Sequence, residues 1–438
     1  MHDVLIEYLN CLTQNNSEVP LSVRNEFKEF YEEDYRNGGS YWVRDRSPEL
    51  IAETSKKPYK SMTVEDVLIC LTTIVARNRI YGSISGAERH GSTLALLGRL
   101  KELSSNNYSR HLISKEQIRQ AMYGLAIADA VGVPAEFTSR ETLKQTPFTD
   151  MTGYGTHNQP KGTWSDDTSM ALCLAYSLGE KKTFVAEDVM NRFISWYTEG
   201  SYSPFGECFD CGIAVSKALR KYQQGFPALE CGGKDKYDNG NGSMMRILPL
   251  LFHLVAKYGM DVWYLTEASE EIIQCSAITH AHPISCLACN VYLHIAEHLL
   301  RKQDILFAVS SGTRQSLRSY RNKVPKKIAE TVERFQKFED PYAFKDTPED
   351  EIKSSGFVVD TLEAAIWCLL NTDNYKDCVL KAVNLGDDTD TVAAVAGGLA
   401  GIAYGFDCER GIPKEWYDAL QAKDMIEKAC DALETAIS

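Results

Sequence analysis

Residues 384–405 read NLGDDTDTVAAVAGGLAGIAYG. From Thr391 onward the stretch is apolar and rich in alanine and glycine, with no charge. That composition predicts a buried helix whose backbone lies close to a neighbouring helix. The acidic residues ahead of it fall at the helix N-terminus, where the positive end of the dipole favours negative charge. Asp388, Asp390 and Thr391 offer hard oxygen ligands of the kind that Mg²⁺ and Mn²⁺ prefer over thiolate or imidazole.

A second stretch repeats the layout. Residues 162–178 read GTWSDDTSMALCLAYSL, with Ser165, Asp166 and Asp167 ahead of an apolar run at helical spacing. Ser165 is a candidate N-cap. Taken singly, each cluster reads as an ordinary acidic cap. Taken together, two helix starts offer six oxygen-bearing side-chain groups, from Ser165, Asp166, Asp167, Asp388, Asp390 and Thr391. Such a set can wrap a pair of divalent cations.

Working outward, residues 113–438 read as helix after helix with little period-2 alternation. Ser114 is the predicted N-cap of the first, with Glu116 close behind. Gly closes several of the others, as at C-caps. The class is all-α: an orthogonal multi-helix domain at 114–438, preceded by a small, mainly helical unit at 1–108. Helices are expected there at 64–80 and 92–103, and a polar linker at 104–111, SSNNYSRH.

Composition narrows the class of function. The chain has 438 residues and a net charge of −13, which argues against general affinity for nucleic acid or an anionic membrane surface. Its first residues, MHDVLIEYLNCL, carry early acids and no long apolar core, so no signal peptide is expected. No apolar run reaches the length of a membrane span. Thirteen cysteines follow no framework spacing, which predicts free thiols in a reducing cytoplasm. The pairs Cys208/Cys211 and Cys286/Cys289 have zinc-like spacing. However, the second lies on an apolar helix and the first lacks turn glycines, so both read as packing.

At five segments the chain resembles the ADP-ribosylglycohydrolase family, relatives of the dinitrogenase reductase-activating glycohydrolase. The segments are YGLAIADAVGVPAEF at 123–137, WSDDTSM at 164–170, GNGSMMR at 240–246, THAHP at 279–283 and GDDTDTVAAVAGGLAG at 386–401. They occur in the family's order, and the resemblance covers about 116–438. It departs at Ala128 and Asp387, where the family favours glycine, and at Ser165, where it favours threonine. The Ala128 methyl is expected to disturb a tight turn, and Asp387 to add charge beside the metals. Residues 1–108 resemble, more loosely, a small prokaryotic domain of unknown function.

The resemblance implies hydrolysis of the glycosidic bond linking ADP-ribose to a modified target: a protein side chain, a nucleic-acid base or a small molecule. It implies two divalent cations, Mg²⁺ or Mn²⁺, held by the six positions named above. Glu136 is the implied base, with Asp167 and Asp388 as catalytic carboxylates. Gly240, Asn241, Gly242, Ser243 and His280 are the implied substrate contacts, through backbone N–H groups of a glycine-rich turn that suits a pyrophosphate. Asp129 is expected to support the metal side without ligating. Arg246 is expected in a first helical turn, paired with an aspartate near the metals. The competing readings are a non-catalytic ADP-ribose-binding or toxin-immunity module, with residues 1–108 docking a partner protein, and a hydrolase of another riboside. Linkage specificity falls to the loops at 138–163 and 199–239.

Overall fold

The computed structural model describes residues 113–235, 237–259, 266–320 and 329–437. The N-terminal unit expected at 1–108, its two helices, its docking role and the linker at 104–111 lie outside the described residues. Those described contain helices and three isolated β-bridges but no strand, so the chain is all-α here as expected. Among them no helix is long and apolar enough to cross a membrane.

The alanine- and glycine-rich run forms one helix, Thr389–Tyr404, buried from Thr389 to Ile402. This helix and seven others carry the core and are labelled in chain order. They are α1 (Lys115–Gly132), α2 (Asp166–Lys181), α3 (Leu248–Tyr258), α4 (Pro283–Leu300), α5 (Val358–Leu370), α6 (Tyr375–Val383), α7 (Thr389–Tyr404) and α8 (Lys423–Ile437). Helix α1 packs along α7 more extensively than any other described pair. Small residues make this possible. A Cβ on Gly124 of α1 would stand 2.5 Å from the Gly397 carbonyl oxygen and 2.8 Å from the Gly401 Cα, distances that no real side chain occupies. Helices α4, α5 and α6 cover other sides of α7, and α8 packs along α2.

Ser114 caps α1 as predicted, with Glu116 in its first turn, and Gln117 completes a reciprocal capping box. One local expectation is corrected. Ala128 disturbs no turn, because it lies inside α1. Its methyl occupies the space that a side chain on Gly397 would need, 2.2 Å from an ideal Cβ there. The glycine-poor first segment is thus matched by a glycine-rich partner helix.

Candidate active site

The N-termini of α2 and α7 meet. Ser165 caps α2, and its hydroxyl donates to Asp167 Oδ2 at 2.9 Å. From the other helix, Thr391 Oγ1 donates to the same oxygen at 3.4 Å. Asp388 is the N-cap residue of α7, and Asp390 lies in its first turn. One carboxylate oxygen each from Glu136, Asp388 and Asp390 lie within 4.8 Å of one another. A second such trio is Asp129, Asp167 and Asp390. Ser165, Asp167, Asp388, Asp390 and Thr391 therefore belong to one constellation, reached from two helix starts more than 200 residues apart in sequence, and Asp166 lies beside them in the first turn of α2.

Asp129 holds this arrangement from α1. Its carboxylate accepts from the Ser165 backbone N–H at 3.0 Å, the Thr168 N–H at 3.1 Å and the Thr168 hydroxyl at 2.6 Å. These donors are the otherwise unsatisfied N–H groups of a helix start. Asp129 thus anchors the first turn of α2 from beneath, in keeping with its expected supporting place. At the crossing of α1 and α7, the Thr389 hydroxyl donates to the Gly132 carbonyl at 2.8 Å.

The carboxylates are buried together without compensating cations. Asp167 is fully buried and Asp390 is 1% exposed. Burial, reinforced by neighbouring carboxylates, pushes both well above the usual carboxylate range, and Asp166 with them. Burial also raises Asp129, to about 7, against the lowering effect of its hydrogen bonds. Asp167 Oδ1 and Asp390 Oδ2 are buried and accept no hydrogen bond. Orphaned carboxylate oxygens carry a large desolvation penalty. A set of hard oxygens with unfilled acceptors fits a Mg²⁺- or Mn²⁺-type cation.

Glu136 lies just beyond a single 3₁₀ turn, Val133–Ala135, that continues α1. The loop that follows is pinned to the residues before α7. Phe137 N–H donates to the Asp387 carbonyl at 2.7 Å, and Asp387 N–H donates to the Thr138 carbonyl at 3.0 Å. Both Phe137 (φ 61°) and Asp387 (φ 60°) adopt left-handed backbone, which explains why a glycine would suit position 387. The Asp387 side chain is exposed, and its contribution here is the backbone pairing that sets Glu136 against Asp388 and Asp390.

Sequence reasoning missed two residues here. His157 Nε2 is hydrogen-bonded to Glu136 Oε2, and Asp210 brings a carboxylate oxygen within 4.8 Å of both. The Phe209 ring lies 5.3 Å from the His157 ring. His157 ends the 3₁₀ turn Gly155–His157 and Asp210 sits in an irregular segment, so neither carried a periodic signal. Both lie within the loops to which specificity was assigned.

The glycine-rich turn is partly as expected. Asn241 Nδ2 donates to Asp388 Oδ2 at 2.8 Å, tying the turn to the acidic cluster. Gly240 and Gly242 pack over His280: a Cβ on Gly242 would stand 2.8 Å from its ring. The His280 ring is buried, bonded through Nδ1 to Thr279, and pushed down to about 3 by burial, so it is neutral. The Ser243 hydroxyl points into the core, meeting Ser276 at 2.9 Å and Cys289 at 3.5 Å. That leaves only its backbone for a ligand.

Arg246 precedes α3 rather than opening it, and among the described residues it forms no ion pair with an aspartate. Its guanidinium donates to the Gly242 and Cys275 carbonyls and lies over Phe193, so it braces the turn. His282 caps α4. Every described cysteine is free; Cys286 and Cys289 are buried in α4, and Cys208 and Cys211 are half-buried.

Comparison with known proteins gives a consistent picture. The family model described as ADP-ribosylglycohydrolase matches residues 110–438. The ADP-ribosylarginine hydrolase Tri1 of Pseudomonas putida is 34% identical over 324 residues, covering 73% of this chain and 78% of that protein. The ADP-ribosyl-[dinitrogen reductase] glycohydrolase of Rhodospirillum rubrum is 30% identical, covering 72% of this chain and 94% of that protein. A solved structure titled ADP-ribosylglycohydrolase-related protein complex aligns with TM-score 0.56 and 29% identity, over 74% of this chain and 99% of the other.

Proposed function

Because the chain belongs to the ADP-ribosylglycohydrolase family and is a hydrolase of ADP-ribosyl glycosidic bonds, we propose that it cleaves the bond joining ADP-ribose to arginine, using two divalent cations. The observation that carries this reading is the pair of orphaned buried oxygens, Asp167 Oδ1 and Asp390 Oδ2, in a cluster made wholly of hard oxygen donors. The arginine linkage is supported by the Tri1 relatives, named as ADP-ribosylarginine hydrolases. Mg²⁺ and Mn²⁺ fit the six positions equally well by donor chemistry.

Ser165, Asp166, Asp167, Asp388, Asp390 and Thr391 would hold the cations. When bound, these supply charge stabilisation and orient the ribose hydroxyls and a water. The residues do the rest. Glu136 takes a proton from the attacking water as its oxygen bonds to the anomeric carbon. The bond from that carbon to the guanidine nitrogen breaks, and its electron pair stays on nitrogen. The transition state has oxocarbenium character, as in glycoside hydrolysis generally.

Glu136 is raised by burial and lowered by its His157 bond, with Asp210 and Asp388 raising it further. A raised carboxylate is a stronger base for this proton. Asn241 orients Asp388 by its 2.8 Å bond. The Gly240–Gly242 turn, spread over a neutral His280, leaves backbone room for the pyrophosphate.

Glu136→Gln tests the assignment of the base. It keeps shape and removes the proton acceptor, so kcat should fall by about 10²- to 10⁴-fold. Affinity for free ADP-ribose, read by calorimetry with Mg²⁺ present, should stay within a few fold. A variant with undiminished kcat would remove Glu136 from the mechanism.

A further inference from the structure

We infer that Arg140 is a positioning residue for the reaction, the clamp that sets the Glu136 loop against the start of α7. The inference rests on the reading of Glu136 as the base and adds to it the residue that holds the base in place. It begins from the hydrogen bonds of one guanidinium. Arg140 Nε donates to the Leu385 carbonyl at 2.7 Å and Nη1 to the Glu349 carbonyl at 2.7 Å. Nη2 donates to the Ile352 carbonyl at 2.6 Å and to the Ser354 hydroxyl at 3.3 Å. All of these acceptors are neutral, so the guanidinium fixes backbone geometry rather than a partner charge.

The segments it ties together carry or support the site. Arg140 follows Glu136 by one turn of chain and opens the short helix Arg140–Gln145. Leu385 lies just ahead of Asp388. The bond from Arg140 to Leu385 extends the backbone pairing of Phe137 and Thr138 with Asp387. At Gly386 the two segments touch, and a Cβ there would stand 2.6 Å from the Arg140 backbone nitrogen. The third segment, 349–354, is tied to the cluster as well. The Ser354 carbonyl accepts from the Asp388 N–H at 3.1 Å, and the buried Ser354 hydroxyl donates to the Leu385 carbonyl at 3.1 Å.

This task suits a guanidinium. Its N–H groups diverge in a rigid planar fork, whereas a lysine ammonium is a single point on a flexible stem. A lysine at 140 can hold one of these segments and releases the others. Asp388 then keeps its own bonds to Ser354 and Asn241, so the loss falls on Glu136. Proton abstraction is sensitive to such a loss, since a displacement of about 1 Å can lower a rate about 10²-fold.

The experiment measures kcat on the arginine-linked substrate with Mg²⁺, and ADP-ribose affinity by calorimetry. It uses the full chain as wild type, Arg140→Lys, Glu136→Gln and the double variant, each read well below its melting temperature. Arg140→Lys should lower kcat at least tenfold and leave ADP-ribose affinity within about threefold. In the Glu136→Gln background the same change should lower kcat by less than twofold, because a clamp that acts through Glu136 has nothing left to position. A merely structural arginine would lower kcat by the same factor in both backgrounds. Ser354→Ala removes one strut and leaves Arg140 in place. It should lower kcat about threefold, again only when Glu136 is present, and it decides the matter should Arg140→Lys not fold. Unchanged kcat in Arg140→Lys, equal factors in the two backgrounds, or a loss of ADP-ribose affinity as large as the loss of kcat would each overturn the assignment. The reading of Glu136 as base fails separately, when Glu136→Gln alone keeps its kcat.

Discussion

At the scale of single residues, Asp129 shows how burial is put to use. It is fully buried, and its oxygens fix the first turn of α2, on which Ser165, Asp166 and Asp167 sit. Burial raises it to about 7 and raises Asp166, Asp167 and Asp390 well above their usual range. A carboxyl raised in the folded state stabilises the fold in its protonated form. That contribution is complete below about pH 4, the unfolded value, and is lost as pH rises through the folded value. The metal-free protein should therefore melt at a lower temperature at pH 8 than at pH 5. Mg²⁺ or Mn²⁺, which binds the deprotonated cluster, should restore more stability at pH 8 than at pH 5. Asp129→Asn should shrink the pH slope. Melting curves in EDTA and in excess metal check this, and a metal effect that is larger at pH 5 would contradict it.

At the scale of elements, the packing of α1 on α7 explains why the two acidic helix starts meet. The two backbones meet at Gly124, Gly397 and Gly401, the Tyr375 hydroxyl of α6 donates to the Gly124 carbonyl at 2.6 Å, and Thr389 bonds the end of α1. Gly124→Ala would drive a methyl into the α7 backbone. Its cost should be about 1–3 kcal/mol, the range for overpacking a tight core, read as a drop in the melting temperature. Activity at low temperature should fall as well, because α7 carries Asp388, Asp390 and Thr391. A variant as stable as the wild type would mean that the helices do not lie so close.

What could be read beforehand at this scale was whatever had a local signature. The run Thr391–Gly405 declared a buried helix by composition, and Ser165 and Asp388 declared helix starts by chemistry. What could not be read depended on distant partners. Ala128 looks like a disturbed turn until Gly397 is seen opposite it. Arg246 looks like an acid's partner until it is found on the Gly242 and Cys275 carbonyls. His157 and Asp210 sit in irregular loops, where no period marks them, and only the fold brings them to Glu136.

At the scale of the whole molecule, the chain concentrates negative charge where an anionic substrate must bind. Net charge is −13, and at least six carboxylates line the site: Asp129, Glu136, Asp166, Asp167, Asp388 and Asp390. In our proposal divalent cations would reverse the local field, which would make ADP-ribose binding and catalysis both conditional on metal. The family match covers residues 110–438, and we propose a division into an accessory unit at 1–108 and a catalytic domain at 114–438.

The most direct test is release of free ADP-ribose by the full chain from arginine-, serine- and nucleobase-linked substrates, each with Mg²⁺, with Mn²⁺ and with EDTA. Release from the arginine-linked substrate that requires metal and is abolished by EDTA is the predicted result. Release that persists in EDTA, or no release from any substrate with either metal, would contradict the account.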